Sequence, residues 1–173
     1  MHSIDLEKKT AAALEKPPLS RTVVMRACGR LAGLLTGGAY DGEIRARGLE
    51  KLLTRERICQ AAFFLREDTL ERRVKSELLG LLYRFLMPLG VLLHVTAGNM
   101  TGIGAYSVLE GLLAGNINLL KLSSEDDGLS VFLLQELIRI EPVLADYIYT
   151  FRIPSGDRAR LLKLLTLSDG ECT

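Results

Sequence analysis

Three short apolar runs, at 89–95, 117–122 and 147–153, alternate with helical patterns at 103–114 and 126–140. This alternation constrains the fold more than anything else in the chain. Strands separated by helices of 10–15 residues mark βαβ units and a parallel sheet, whose strands are covered on both faces and so read as continuous apolar runs. Each crossover should be right-handed. Residues 88–173 are therefore expected to be α/β, with a last helix from Ser155 to Leu165. A purely helical protein conflicts with the β-type runs at 89–95 and 117–122.

Residues 1–87 read differently, as an arm followed by a helical layer. The first nineteen are polar and Ala-rich and end in Pro17-Pro18, which fits a loose arm or a short helix before a stop. Ser20 can cap a helix with Val24, Cys28, Leu31 and Leu35 on one side, ending at Gly37-Gly38. Thr54 can cap a second, with Ile58, Ala61, Ala62 and Leu65 at helical spacing. Asp68 or Thr69 opens a third, whose inward stripe is Leu70, Val74, Leu78, Leu81, Leu82 and Phe85, and Pro88 ends it. The charges between these stripes read as solvated faces.

The sheet expected from this pattern is small. Three parallel strands fall below the usual count, and the chain reaches Leu167-Ser-Asp-Gly-Glu-Cys-Thr173 where another strand would be expected. Parallel strands need partners at their edges, so the reading is of a truncated protein or one completed by another chain, which favours a homo-oligomer.

Composition narrows the function classes. At 173 residues the chain suits one ordinary domain, and 48% hydrophobic with 25% charged residues is globular. A net charge of +1, 6% aromatic residues and no Trp give no case for a nucleic-acid partner, which calls for a basic face or stacking rings. The opening Met-His-Ser-Ile-Asp-Leu-Glu-Lys-Lys has no apolar core for a signal peptide. The most apolar long stretch, Gly102 to Leu122, holds Glu110, Asn116 and Asn118 and four glycines, so it is a poor membrane span and a good buried βα unit. Cys28, Cys59 and Cys172 form no CxxC pair and no metal spacing. They read as two buried helix thiols and one tail thiol, and an odd, scattered set fits a reducing cytoplasm.

Open parallel sheets bind ligands just beyond the carboxyl ends of their strands. Asn99 follows the first apolar run in a turn of small residues, and Lys121 closes the second; both are expected at that edge. Asn99 can cap the next helix or donate to a developing oxyanion. Lys121, followed by Leu-Ser-Ser124, is either solvated or a donor to sugar hydroxyls or phosphate. Gly98, Gly102 and Gly104 do not keep the GxGxxG register and no P-loop lysine follows, so close packing of the helix on the sheet explains them. His94 reads as a satisfied core histidine. No cysteine follows a strand and turn that would lower its pKa.

Pro88-Leu-Gly-Val, Thr96-Ala-Gly-Asn99 and Leu113-Ala-Gly-Asn116-Ile-Asn-Leu-Leu-Lys121-Leu-Ser-Ser124 together resemble the LuxC-like acyl-CoA reductases, a branch of the aldehyde dehydrogenase superfamily. In that superfamily the corresponding elements are a strand ending in Pro-Trp-Asn and a later Ala-Gly-Asn-Thr-Val-Val-Leu-Lys-Pro-Ser-Glu. The resemblance spans roughly residues 85–157, and only loosely the helices before them. It implies the amino-terminal portion of the enzyme: a helical layer, then a three-layer, Rossmann-like half-domain. The implied chemistry is reduction of an acyl-CoA or other acyl thioester to an aldehyde by a nicotinamide cofactor, through a cysteine that becomes acylated. By the same resemblance Asn99 donates to the oxyanion, Ala97 and Gly98 touch the cofactor through their backbone, and Lys121, Ser123 and Ser124 meet the adenosine ribose. Ser124 stands where many NAD-using relatives have Glu; a carboxylate there would repel a 2′-phosphate, so NADP is expected, with NAD possible. The nucleophilic cysteine and the second glycine-rich segment are expected outside this chain, which alone should be inactive. The competing reading is a non-catalytic binding or assembly module with the same fold fragment.

Overall fold

The computed structural model describes residues 3–77, 87–96, 102–123, 128–154 and 156–172. The order of elements is α1 (Ser3–Leu14), α2 (Arg21–Thr36), α3 (Asp41–Ala46), α4 (Arg55–Leu65), α5 (Glu67–Glu77), β1 (Val91–Val95), α6 (Ile103–Leu113), β2 (Ile117–Leu122), α7 (Leu129–Ile140), β3 (Ile148–Arg152), α8 (Arg158–Leu167) and β4 (Gly170–Cys172), with a 3-10 turn at Pro142–Asp146 before β3. This is an α/β architecture with a four-stranded, fully parallel sheet in the order β3-β2-β1-β4.

Helices form where the sequence placed the first two of them, one with its expected cap and one without. The side chain of Thr54 caps α4 by accepting from the Arg57 backbone N–H at 3.4 Å. Ser20 stands at the start of α2 without a side-chain capping bond, so that helix rests on its buried stripe of Val24, Cys28, Leu31 and Leu35 instead. The arm before Pro17 is helical. Its Leu6 and Ala13 are buried, and Lys16 pairs with Asp146 at 2.6 Å. The six-residue α3 has no strong periodic signal. It is held by Ile44 in the core, by the edge of Tyr40 against Phe132 at 5.7 Å, and by the Arg47 guanidinium 5.2 Å over the same ring. Of the stripe expected in the third helix, Leu70 and Val74 are buried on α5, while Leu78, Leu81, Leu82 and Phe85 lie outside the described residues.

α2 is the central helix of the layer, in contact with α4, α5, α6 and α7. The Arg21 Nε donates to the Leu113 carbonyl at 2.8 Å, and Arg73 of α5 pairs with Glu110 of α6. One hydrophobic cluster runs from Leu6 through the layer and the sheet to Leu164.

The carboxyl-terminal stretch corrects the expectation of three strands and a ragged tail. Gly170–Cys172 is a fourth strand, paired with β1 as Leu92↔Gly170, Leu93↔Glu171 and His94↔Cys172. Three residues of strand would be weak alone, and Asp169 supplies the missing hold. Its backbone N–H donates to the Val91 carbonyl at 2.7 Å, and its carboxylate accepts from the Val91 N–H at 2.9 Å. The carboxylate occupies the space that a Cβ on residue 90 would need, and Gly90 has φ of +120°, so this position calls for glycine twice over.

The chain steps from β1 to β2 to β3 in one direction and then returns to the far side of β1. Right-handed connections place α6 and α7 on one face and α8, which contacts β1, on the other. The strand order therefore reverses between β1 and β4, and a crevice at such a switch point is the usual ligand site of an open parallel sheet.

Candidate active site at the carboxyl edge of the sheet

Two of the six residues singled out for chemistry are described, Lys121 and Ser123. Ala97, Gly98, Asn99 and Ser124 lie outside the described residues. The frame around them is well defined. β1 and β2 run in register to Val95↔Lys121, and beyond the last pair Thr96 is tied to β2 by its N–H and its hydroxyl, both donating to the Lys121 carbonyl at 3.4 Å. Thr96 is thus fixed beside Lys121. α6 begins again at Gly102, whose φ of +75° lies in the left-handed region.

Lys121 does not close its strand. It is the fifth of six residues in β2, between Val95 of β1 and Phe151 of β3, and only 9% of it is exposed. Among the described residues no hydrogen bond or ion pair engages its ammonium. A lysine held this way is not an ordinary solvated strand end. It lies one residue before the end of β2, near the carboxyl edge of the sheet. Ser123, half-buried, follows directly on the last residue of β2.

Gly104 behaves as its packing reading requires. A Cβ there would press on Leu120 and on the Ser130 hydroxyl, each at 3.1 Å, so glycine lets the first turn of α6 lie against β2 and α7.

His94 is the core histidine expected, 1% exposed, and its partners define its state. Asn118 donates through Nδ2 to the carbonyls of Asn116 (2.8 Å) and Tyr147 (3.3 Å), which turns its Oδ1 toward His94 Nε2 at 2.9 Å. Nε2 therefore carries the proton, and Nδ1 accepts from the Ser107 hydroxyl at 2.6 Å. Burial holds the imidazole below its ordinary pKa, against the opposing effects of Asn118 and Glu110. Both nitrogens are used, so the ring has a structural role. This network was not visible in the sequence pattern. Its one trace is Gly111, where a Cβ would collide with Asn118 Oδ1.

The cysteines are placed apart. Cys28 is fully buried on α2, and burial pushes its thiol up to about 12, which leaves it inert as a nucleophile. Cys59 is exposed on α4, a correction to the expectation of a second buried helix thiol. Cys172 is exposed in β4 beside β1 rather than in a loose tail. No group of His, Cys, Asp and Glu able to hold a metal ion occurs among the described residues. No helix among them is long and apolar enough to cross a membrane.

The strand order thus reverses beside β1, and a buried lysine lies near the end of β2 on the neighbouring strand. The family model described as acyl-CoA reductase (LuxC) matches residues 39–170 of the 173. The chain belongs to the LuxC acyl-CoA reductase family. The match reaches from the approach to α3 to the first residue of β4, so α3, α4 and α5 of the helical layer fall within it and α1 and α2 lie before it. No curated protein and no solved structure matches the chain. Within the LuxC family an acyl substrate and a pyridine nucleotide are the general requirement.

Proposed function

We propose that residues 88–173 furnish the first half of the cofactor-binding domain of a cytoplasmic, NADPH-dependent reductase of fatty acyl thioesters, with the helices of 1–87 packed on it. The observation that carries this reading is Lys121. A buried lysine whose ammonium has no partner among the described residues is costly unless its charge is used, and this one stands near the carboxyl edge, where open parallel sheets bind their ligands. The site fits the group: Lys121 carries an ammonium near the end of β2, Ser123 follows directly on that strand, and Gly104 keeps the start of α6 close to the sheet.

When bound, the nicotinamide cofactor supplies a hydride. The residues of this chain hold and orient. Lys121 and Ser123 hydrogen-bond the hydroxyls of the adenosine ribose, with Ser124 beside them. A serine at 124, in place of a carboxylate, accepts a 2′-phosphate without charge repulsion. Ala97 and Gly98 would contact the cofactor through their backbone, and Asn99 would donate its amide to the oxyanion that forms at the thioester carbonyl. Loss of such a donor costs about a hundred- to a thousandfold in kcat. The nucleophilic thiol is assigned outside these residues: Cys28 is buried, Cys59 lies on a helix of the outer layer, and Cys172 is held in β4 opposite His94, short of the carboxyl end of β1. The test is acyl-CoA-dependent oxidation of NADPH and NADH by the full-length protein. Preference for NADPH, reversed by Ser124→Glu, supports the assignment, and strict use of NADH refutes it.

A further inference from the structure

β3 forms one edge of the sheet, and no described strand pairs its outer side. On its inner side the Tyr147 carbonyl accepts from the Asn118 N–H at 2.8 Å, in the register Asn118↔Ile148. Alternate residues of a parallel strand bond to alternate sides, so the backbone N–H and C=O of Thr150 point away from β2. An open strand edge is a template for another chain unless something blunts it. A cavity of about 550 Å³ lies along this edge, between β3, α8 and α1. Residues from both faces of β3 line it, Thr150 and Arg152 as well as Phe151, so it reaches the outer rim of the strand. Its floor is apolar, built with Leu6 of α1 and Leu164 of α8, both buried. The charge around it has one sign. Arg152, Arg160 and Lys163 line the cavity, and no carboxylate does. Arg160 shares an exposed pair with Asp157 at 3.3 Å, and no ion pair holds Lys163 among the described residues. α8 itself carries no Asp or Glu.

We propose that this edge takes an acidic, extended segment of a partner protein as an added strand, paired with the backbone of Thr150 and with its carboxylates beside Arg160 and Lys163. Two observations select this occupant. An added strand uses the outward backbone groups of β3, which a helix laid in the groove would leave unpaired. Every second side chain of such a strand enters the hollow, where the floor takes an apolar group and the cations of α8 take a carboxylate.

The experiment is fluorescence anisotropy of a short labelled peptide alternating glutamate and valine, titrated with the purified chain, with glutamine and lysine analogues as controls. The glutamate peptide should bind tightest and lose affinity as salt is raised. Arg160→Glu with Lys163→Glu, both at exposed positions, should weaken it at least about fivefold and remove its lead over the glutamine analogue. Thr150→Pro removes the outward N–H at an edge position where proline is tolerated. It should weaken the glutamate and glutamine peptides alike while the circular dichroism spectrum stays unchanged. No preference for the glutamate peptide, or affinities indifferent to both variants, overturns the proposal. Sedimentation of the chain with phosphatidylglycerol vesicles, with no peptide binding, also overturns it and assigns the cations to a membrane surface.

Discussion

Asn118→Ala is the substitution with the largest calculable consequence. The side chain is fully buried and serves three groups: His94 Nε2 at 2.9 Å, the Asn116 carbonyl at 2.8 Å and the Tyr147 carbonyl at 3.3 Å. The Tyr147 carbonyl keeps a second partner, the Asn118 backbone N–H at 2.8 Å, and is not orphaned. The imidazole N–H loses its only acceptor and the Asn116 carbonyl its side-chain donor. A buried polar group left unsatisfied costs about 1–3 kcal/mol, so the two together should cost roughly 2–6 kcal/mol. Against a total stability of about 5–15 kcal/mol this is a severe lesion. Urea unfolding of the purified chain, followed by circular dichroism, measures it. The coupling with His94→Ala should be about 0.5–3 kcal/mol, because the double variant removes the orphaned N–H as well. A loss below about 1 kcal/mol, or strict additivity of the two, would refute the network as described.

His94 should also give stability a pH dependence. Its folded-state pKa lies below the ordinary 6.5, so the unfolded chain binds more protons as pH falls through that value. Stability present above about pH 6.5 should therefore be lost progressively below it, and His94→Gln should remove that part of the slope, as unfolding titrations at successive pH values would show. Lys121→Met should weaken NADPH binding at least about tenfold while leaving the melting temperature unchanged or raised, because it removes a buried charge and keeps the volume. Gly90→Ala should destabilise by more than about 1 kcal/mol, since the residue has φ of +120° and faces the Asp169 carboxylate. Hydrogen exchange should then show β4 released before the rest of the sheet.

What the sequence showed, and what it hid, follows from the range of the interactions. The apolar runs around Leu92, Leu119 and Ile148 are local patterns, and the strands and their parallel order were legible from them. The stripes of α2 and α4 and the Thr54 cap of α4 were legible for the same reason, whereas the expected Ser20 cap of α2 makes no side-chain bond. β4 was not, because Gly-Glu-Cys has neither length nor apolar character, and its place depends on Asp169 meeting Val91 from 78 residues away. α3 was hidden likewise, its hold coming from Phe132 on a distant helix. For the site, the edge and its lysine were readable, but the burial of Lys121 was not. A lysine near the end of a strand looks solvated until the register shows Val95 and Phe151 on either side.

The central claim is that this edge of the sheet holds a phosphorylated nicotinamide cofactor. An amide chemical-shift titration of the isotopically labelled chain with NADPH, and in parallel with NADH, tests it directly. Shifts that saturate with NADPH and centre on Thr96, Lys121 and Ser123, and that weaken with NADH and in the Lys121→Met variant, are the result expected. No saturable shift, or shifts centred on Pro88 and Gly115 at the opposite end of the strands, would contradict it.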